Sequence, residues 1–316
     1  MPAFNVARYV EEAISSVRDQ TWQSIELIVV DDGSDDGTDR VVERMAEAWR
    51  GAGRTLRFER QPNAGAAAAR NTGLDRATGT FVAFLDADDK LYPECLERLV
   101  ARLDADGELD LTFPQYRYID EEGASLGVET TAYKPRYEAV DLMIRNPIHS
   151  ATGVLVRRSV AVRAGRFDPT LEACIDLDFW VRIAALSPGN VAGTERILAA
   201  YRKRSGQITG DWRRMRRNWL AVCDKLKEAG HGLSERQFTR GMARQALYWA
   251  TIAYQSGDYR ATRHLTATMW RADPAFAAGD SLARIRTLSA ATTLVPGPVH
   301  AALRKSFNQA RRRTSE

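Results

Sequence analysis

The chain has 316 residues, of which 44% are hydrophobic and 27% charged, a composition typical of soluble globular proteins. No stretch approaches the roughly 18 consecutive apolar residues that a membrane span needs, and the N-terminus lacks a signal-peptide pattern. Cys95, Cys174 and Cys223 are widely separated and odd in number, so they indicate neither a disulfide framework nor a metal cluster. These features predict a cytoplasmic protein in a reducing compartment.

The net charge of +4 is unevenly distributed along the chain. Residues 211–316 carry 19 Lys and Arg against 8 Asp and Glu, a net of +11, whereas residues 1–210 carry 26 against 33, a net of −7. The basic region is either a solvated helical surface or one that attracts anionic lipid, which would make the protein peripheral on the inner face of the cell membrane. Nucleic acid is not an expected partner because no nucleic-acid-binding motif accompanies the basic residues.

Strand and helix patterns alternate over the first hundred residues. Helical spacing of apolar residues predicts helices at 6–19, 40–52, 64–77 and 93–103. Short apolar or alternating runs predict strands at 26–30, 56–60 and 80–85, followed less regularly by strands at 110–113 and 153–156 and a helix at 179–185. This order predicts an α/β domain over 1–210, built on a mostly parallel sheet with helices on both faces, and a basic α-helical region over 211–316.

The first residues lack a strand pattern. Met1-Pro-Ala-Phe-Asn5 resembles a loop that normally follows a strand in α/β nucleotide-binding domains. We therefore expect the true start to lie several residues upstream, with the first strand missing from this sequence.

Carboxylates follow two of the predicted strands. Asp31 and Asp32 come directly after strand 26–30, and Asp86-Ala87-Asp88-Asp89 follows strand 80–85. Open α/β sheets bind ligands beyond the carboxyl ends of their strands, and Mg²⁺ or Mn²⁺ prefers oxygen ligands. Each run is also compatible with a polar turn that leads into the next helix.

A third segment, Pro62–Gly73, places Arg70 on a helix of small residues. Arginine on such a helix can reach a cleft as a fixed cation, although an alanine-rich helix is more often simply well packed.

The four segments occur together in a characteristic order: Pro2-Ala-Phe-Asn5, Asp31-Asp-Gly-Ser34, Asn63 to Gly73, and Leu85-Asp-Ala-Asp-Asp89. With this set, residues 1–205 resemble the family 2 glycosyltransferases, which have the GT-A fold. The resemblance implies an inverting, metal-dependent enzyme that takes sugar from a nucleotide-diphosphate donor, with a UDP-sugar favoured. The Gln-x-x-Arg-Trp motif of processive synthases is absent at Asp211–Arg214, so we expect transfer of a single sugar.

The resemblance assigns several residues to the donor's base. The loop from Pro2 to Asn5 would lie over the base, and Phe4 would stack on it. Asp32 would hydrogen-bond to the base, and Asn63 belongs to the same nucleotide-binding set.

Other residues would face the donor's diphosphate. Arg70 would help to hold the nucleotide, and Asp86 would meet the ribose or the water shell of the metal. Asp88 would bind the Mn²⁺ or Mg²⁺ that bridges the diphosphate. Arg204 takes a position where the family often has histidine, and it could contact the diphosphate as a cation.

The catalytic base is assigned from Ala173–Arg182, which is similar to a family segment with a Glu-Asp pair. Asp176 aligns with the aspartate of that pair, and Ile175 replaces the glutamate. Asp176 is thus expected to take the proton from the acceptor hydroxyl. Asp178 is the second candidate, although it fits better as a cap on the helix near Phe179.

The expected product is a glycosylated saccharide, lipid-linked or peptide acceptor, in cell-surface polysaccharide or glycoconjugate synthesis. A nucleotidyltransferase is less compatible, because no glycine-rich triphosphate loop begins the chain. The remaining alternative is a catalytically impaired sugar-nucleotide-binding or scaffold protein.

Overall fold

The structure is a computed structural model that describes residues 1–49, 54–131, 134–204 and 207–292. Its described residues form two compact units, one within Met1–Leu142 and Asn146–Ser205 and the other within Met143–Arg145 and Gly206–Glu316. Compactness does not by itself define a domain, so the division into 1–210 and 211–316 stays a prediction.

The first part of the chain alternates strands and helices as predicted. Its strands are β1 (Pro2–Ala3), β2 (Glu26–Asp31), β3 (Thr55–Arg60), β4 (Phe81–Ala83), β5 (Lys90–Leu91), β6 (Leu111–Ile119), β7 (Ser125–Glu129), β8 (Leu155–Arg157) and β9 (Val191–Arg202). Its helices are α1 (Val10–Arg18), α2 (Thr38–Ala48), α3 (Ala66–Arg76), α4 (Cys95–Ala105), α5 (Ala139–Ile144), α6 (Arg158–Arg163) and α7 (Ile175–Leu186).

Helix α1 shows why the predicted boundaries differ from the observed ones. Its buried residues Val10, Ala13, Ile14 and Val17 have the helical spacing used to predict it. The helix begins at Val10 rather than at residue 6 because the preceding backbone is bonded elsewhere: the Val6 N–H donates to Thr38 Oγ1 at 3.0 Å. Side-chain acceptors thus bind the N–H groups of Asn5, Val6 and Ala7 and hold this segment as a loop.

The strands form two sheets. The first has the order β1-β2-β3 and is parallel, as predicted. The second has the order β4-β8-β6-β9-β5, with β7 on β6, and it is mixed: only its β6–β9 ladder is parallel. A tight connection explains part of this difference, since the Asp120 N–H donates to the Ala124 carbonyl and turns β6 back into antiparallel β7.

A short first strand lies within the sequence. The two residues of β1 pair in parallel with Val30 and Asp31 of β2, and the Val30 N–H donates to the Met1 carbonyl at 2.9 Å. The strand is much shorter than the six-residue β2 beside it.

The second unit is helical, as predicted. It contains α8 (Trp212–Glu228), α9 (Glu235–Gln255), α10 (Tyr259–Ala272), α11 (Pro274–Gly279) and α12 (Ser281–Thr292). Asp211 caps α8, Ser234 forms a capping box on α9, and Asp258 caps α10. The buried rings of Trp219 and Trp249 pack edge to face at 6.0 Å. Among the described residues, no helix combines the length and apolarity needed to cross a membrane.

Candidate active site

Two loops at strand ends build the site. The first begins with Asp32, directly after Asp31 at the end of β2, and the second follows β4 and contains Asp86, Asp88 and Asp89. Both loops belong to the first unit. The fold thus puts the two acidic runs where the sequence predicts a ligand site.

Asp32 organises the loop before α3. Its buried carboxylate accepts hydrogen bonds from Gln61 Nε2 at 2.7 Å, from the Ala64 N–H at 3.0 Å and from the Gly65 N–H at 2.7 Å. A carboxylate offers about four acceptor positions, so one more donor, such as a base N–H, can still be accommodated. The predicted contact between Asp32 and the base therefore stays a prediction.

Asp31 has a structural role that its position in the sequence does not reveal. Its fully buried carboxylate accepts from the Ser34 N–H at 3.1 Å and from the Ser34 hydroxyl, and Arg60 Nε lies 3.3 Å from its second oxygen. These contacts fix the turn that leads from β2 into α2.

Gly33 lets this turn approach the neighbouring loop. Its φ of +80° lies in the left-handed region, and a Cβ there would lie 3.0 Å from the Asn63 backbone nitrogen. A side chain at this position would push residues 61–63 away. Asn63 itself is exposed.

The loop from Pro2 to Asn5 is held close to the Asp31–Ser34 turn. The Asn5 N–H donates to Ser34 Oγ at 2.9 Å, and Asn5 Oδ1 accepts from the Asp35 N–H at 3.0 Å. Phe4 is 46% exposed, so its ring face is accessible to a ligand. Its predicted stacking on a base is compatible with this position but stays a prediction.

Arg70 and Asp86 form an ion pair across the site. Arg70 Nη2 lies 2.6 Å from Asp86 Oδ1, and the arginine side chain is only 10% exposed. Its guanidinium also lies over the Phe167 ring, 5.6 Å from the centroid. The sequence predicted Arg70 as a fixed cation, and the structure shows the contacts that fix it.

Asp88 is paired with Arg204. Arg204 Nε donates to Asp88 Oδ2 at 2.6 Å, and the two side chains are 30% and 13% exposed. Burial, followed by repulsion from Asp86, raises the pKa of the Asp88 carboxyl, and Arg204 opposes this shift. The structure thereby brings together two residues 116 positions apart that the sequence assigned to the same diphosphate.

Asp89 anchors the acidic loop and was not among the predicted site residues. It accepts from Thr152 Oγ1 at 2.6 Å, from Ser150 Oγ at 3.2 Å and from the Arg202 N–H at 2.8 Å. Burial, together with repulsion from Asp88 and Asp86, raises its pKa well above the ordinary range.

Arg202 is the most connected of the cations around this loop. Its Nε donates to the Asp88 carbonyl at 2.8 Å, and its Nη1 donates to the carbonyls of Asp120 at 3.1 Å and Glu121 at 3.0 Å. Its Nη2 is bonded to Glu12 of α1, and the side chain is 2% exposed. Arg202 thus joins α1 and the β6–β7 turn to the backbone of the acidic loop.

Asp176 lies in the first turn of α7, close to the donor-side charges. Burial raises the pKa of its carboxyl, while Arg70 lowers it and Asp86 raises it. These interactions place Asp176 within electrostatic reach of the Arg70–Asp86 pair. A raised pKa brings a carboxylate nearer to the proton affinity that a general base needs.

Asp178 has a different environment. It is 2% exposed and forms an i,i+4 ion pair with Arg182, whose Nη2 lies 2.7 Å from Asp178 Oδ2. Arg182 also donates to the carbonyls of Ala164 and Arg166. The prediction that Asp178 caps α7 is wrong, because Cys174 occupies the N-cap position and no side chain caps that end. Asp178 instead orients Arg182, which ties α7 to the loop after α6.

Sequence reasoning missed four polar residues that support the acidic loop: Glu12, Ser150, Thr152 and Arg202. They come from three distant segments and belong to no recognised motif. Arg202 lies two residues before Arg204, in the same segment that the sequence comparison with the family singled out, which was the one available signal.

Asp86 and Asp88 are the candidate ligands of a divalent metal ion. The described residues contain no group of three or more His, Cys, Asp or Glu side chains arranged to hold an ion. Asp86 and Asp88 still present carboxylate oxygens. Mg²⁺ and Mn²⁺ often bind one or two carboxylates when substrate phosphates complete their coordination. These residues fit an ion that is shared with a bound diphosphate.

Comparisons with known proteins agree with the fold and the motifs. The model of glycosyl transferase family 2 matches residues 1–163. One relative is the Bacillus subtilis (strain 168) protein TuaG, described as a candidate teichuronic acid biosynthesis glycosyltransferase. It is 29% identical to this chain over 222 residues, which cover 69% of this chain and 84% of TuaG.

Two solved structures are similar over almost the whole chain. S. aureus TarS 1-349 in complex with UDP-GlcNAc has a TM-score of 0.55 and 20% identity, covering 99% of this chain and 86% of that one. The mannosyltransferase PcManGT from Pyrobaculum calidifontis, in complex with GDP-Man and Mn²⁺, has a TM-score of 0.56 and 21% identity, covering 97% and 82%. At such identities the likeness concerns the fold alone, and it confirms the predicted GT-A type with a helical C-terminal region.

Proposed function

This chain belongs to glycosyl transferase family 2, and we propose that it transfers a single sugar, with inversion, from a nucleotide-diphosphate sugar to an acceptor hydroxyl. The observation that carries the proposal is the Asp88–Arg204 ion pair beside the Arg70–Asp86 pair. These two pairs provide alternating negative and positive groups at the place where a diphosphate and its counter-ion would bind.

On the donor side, Asp88 would hold Mn²⁺ or Mg²⁺, with Asp86 nearby for the ribose or the water shell of the ion. Such an ion, when bound, neutralises negative charge that develops on the leaving nucleotide diphosphate. Arg204 would turn from Asp88 to the diphosphate, because both are anionic and its side chain is partly exposed. Arg70 would keep Asp86 oriented through their 2.6 Å contact.

On the acceptor side, Asp176 would act as the general base. Its carboxylate would take the proton of the acceptor hydroxyl as the oxygen attacks the anomeric carbon from the face opposite the leaving group. This single displacement inverts the configuration. Asp178 is less suited to this role since Arg182 already neutralises its buried carboxylate.

The acceptor class is proposed from the relatives. TuaG is described as acting in teichuronic acid biosynthesis, and the TarS structure holds UDP-GlcNAc. We therefore favour a UDP-sugar as donor and a saccharide, lipid-linked or peptide acceptor in the synthesis of a cell-surface polysaccharide or glycoconjugate. The basic region 211–316, with its net charge of +11, would hold the enzyme at the cytoplasmic face of an anionic membrane.

A combined binding and hydrolysis assay tests the proposal. Thermal shift with UDP-, GDP- and dTDP-sugars, with and without Mn²⁺, should show one donor class that raises the melting temperature by mass action. D88A should lose the metal-dependent part of this shift. D176N should keep donor binding but lose transfer, by about 10²–10⁴-fold, because an amide cannot take up the proton.

The same assay separates an enzyme from a sugar-nucleotide-binding scaffold. An enzyme should release nucleotide diphosphate slowly from its donor even without acceptor, whereas a scaffold should bind the donor and release none. Donor binding by D88A that is as metal-dependent as in the wild type would contradict the metal assignment.

A further inference from the structure

Lys203 differs from the two arginines beside it at the end of β9. Arg202 is paired with Glu12, and Arg204 is paired with Asp88. Among the residues that the structure describes, no carboxylate lies within ion-pair distance of the Lys203 ammonium. Because successive residues of an extended chain point to opposite faces, Lys203 lies on the other face of the sheet from its two neighbours.

Two tyrosine rings hold the Lys203 side chain in place. Its Nζ lies 4.5 Å from the centroid of the Tyr201 ring and 5.2 Å from that of Tyr118, and the two rings pack edge to face at 5.4 Å. Burial lowers the pKa of the ammonium and the charge of Asp89 raises it, although the residue as a whole stays exposed. Ring faces attract a cation but do not replace the acceptors that its three N–H groups need. The ammonium is therefore fixed in position and still requires a counter-charge.

The Tyr118 side chain connects Lys203 to a segment beside the acidic loop. The Tyr118 hydroxyl and His149 Nδ1 lie 2.8 Å apart, and His149 is exposed. The next residue, Ser150, donates from Oγ to Asp86 Oδ2 at 3.3 Å. Since consecutive Cα atoms are about 3.8 Å apart, these side chains lie one residue away from a group that contacts a candidate metal ligand.

The same face of β6 also leads to the proposed catalytic base. Tyr116 is two residues before Tyr118, and its hydroxyl donates to the Ser150 carbonyl at 2.9 Å. Burial raises the pKa of Tyr116 well above its ordinary value, and the charges of nearby acids, Asp176 among them, raise it further. Asp176 is therefore within electrostatic reach of this face. The face that carries Lys203 is thus the one on which an acceptor would meet Asp176.

We propose that Lys203 binds an anionic group of the acceptor, a phosphate or a carboxylate, while the acceptor hydroxyl lies at Asp176. Tyr118 and Tyr201 would be positioning residues that fix the ammonium, and His149 would border the bound acceptor. A neutral acceptor would leave the partly desolvated ammonium without a counter-charge, which is unfavourable. On the proposed function, on which this assignment rests, the enzyme would therefore prefer acidic saccharides to neutral ones.

Trace acetylation of the lysines of the full chain, followed by mass spectrometry, tests the proposal. The probes are glucose 6-phosphate, glucuronate and neutral glucose, each titrated with UDP and Mg²⁺ present so that the nucleotide occupies the diphosphate site. A bound anion should slow the acetylation of Lys203 about threefold when the probe is at about twice its Kd, because only the unbound ammonium reacts. Slowing by glucose 6-phosphate alone would identify the group as a phosphate, and slowing by glucuronate alone would identify it as a carboxylate. Lys134, which pairs with Asp141 in the same unit, is the internal control and should react at a constant rate.

Three results would overturn the proposal. The first is an unchanged rate at Lys203 with all three probes, which would leave the lysine a cover for the two rings. The second is equal slowing at Lys203 and Lys134, which would indicate general screening of charge. The third is equal slowing by glucose and by the two anions, which would show sugar binding without recognition of charge.

Two variants of Tyr118 test its positioning role. Y118L removes a ring from beneath the ammonium and should weaken the protection of Lys203 by the anionic probe, whereas Y118F keeps the ring and should retain it. Equal protection in the two variants would refute the positioning role.

Donor hydrolysis without acceptor separates this inference from the proposed function. Release of nucleotide diphosphate with no protection of Lys203 would refute the acidic acceptor and leave the transferase standing. Protection of Lys203 without any release of nucleotide would support the anion site and contradict the transferase.

Discussion

Replacing Arg204 with glutamine tests whether Asp88 is the metal-binding residue. In the free protein the Arg204 guanidinium contacts Asp88 Oδ2 at 2.6 Å, so a cation must displace it or share the carboxylate. The side chains of Arg204 and Asp88 are 30% and 13% exposed, so solvent screens their interaction. We therefore take the free energy of this ion pair from the lower end of the range for charged hydrogen bonds, about 1.5 kcal/mol. This free energy corresponds to about a tenfold change in affinity. We expect R204Q to bind Mn²⁺ about tenfold more tightly than the wild type.

Isothermal titration calorimetry measures two affinities: that for Mn²⁺ without nucleotide, and that for UDP in the presence of Mn²⁺. R204Q should gain affinity for the metal alone but lose affinity for UDP, because the side chain no longer supplies a cation to the diphosphate. The matched control is R117Q, which removes the Arg117–Glu129 pair (2.8 Å) from the β6–β7 hairpin of the same unit. Both partners of that pair are over 40% exposed, so neither affinity should change.

An unchanged or weaker Mn²⁺ affinity in R204Q would refute the reasoning, because removal of a competing cation can only favour the metal. A gain of the same size in R117Q would show that net charge, and not the Asp88 contact, is responsible.

Three further predictions concern the remaining charged groups. The acid limb of the pH–rate profile should lie above the ordinary aspartate pKa of 3.8, because burial raises the pKa of Asp176 and only its ionised form accepts a proton. Activity should therefore fall as the pH falls through this raised pKa. An acid limb at or below 3.8 would exclude Asp176 as the base. D178N should lower the free energy of unfolding in urea by about 2–3 kcal/mol, because Arg182 loses its charged partner, while the donor affinity of the folded protein stays unchanged. R202Q should raise the Mn²⁺ concentration needed for half-maximal activity, because the Asp88 carbonyl loses the hydrogen bond that it accepts from Arg202 Nε. If R202Q changes only the melting temperature, the role of Arg202 is structural.

Parts of the fold were predictable because they depend on local periodicity. Helix α1, strand β2 and the alternation of elements up to α4 follow from the spacing of apolar residues. The mixed second sheet was not predictable in this way. Strand β6 pairs with β9 and with β8, whose paired residues lie 43 or more positions away, and no local pattern records such pairings.

The positions of the residues expected to bind the donor were predictable to a similar degree, and their roles stay predictions. Asp32, Asp86 and Asp88 lie in compact motifs at strand ends, where the sequence itself supplies the geometry. Glu12 and Thr152 could not be found because they act on the acidic loop through tertiary contacts alone. The different environments of Asp176 and Asp178 likewise depend on where the side chain of Arg182 turns.

Each of the three guanidinium groups at the site is paired with a carboxylate, and this pairing determines how the site would accept the proposed ligands. The carboxylates of Asp86, Asp88, Asp89 and Asp176 lie near the guanidinium groups of Arg70 and Arg204, and the guanidinium of Arg202 is paired with Glu12. A nucleotide-sugar diphosphate brings two negative charges and a divalent ion two positive ones, so joint binding leaves the balance unchanged. Either ligand alone disturbs it.

On the proposed function, the displacement of an arginine by the incoming metal ion would occur at the cation that is easiest to move. Arg202 is 2% exposed and is bonded to several segments, and Arg70 is 10% exposed, whereas Arg204 is 30% exposed and has Asp88 as its ion-pair partner. Moving Arg204 breaks the fewest buried contacts and frees the Asp88 carboxylate in the same step. The site should therefore bind metal and donor cooperatively, with Arg204 passing from the carboxylate to the diphosphate as both arrive.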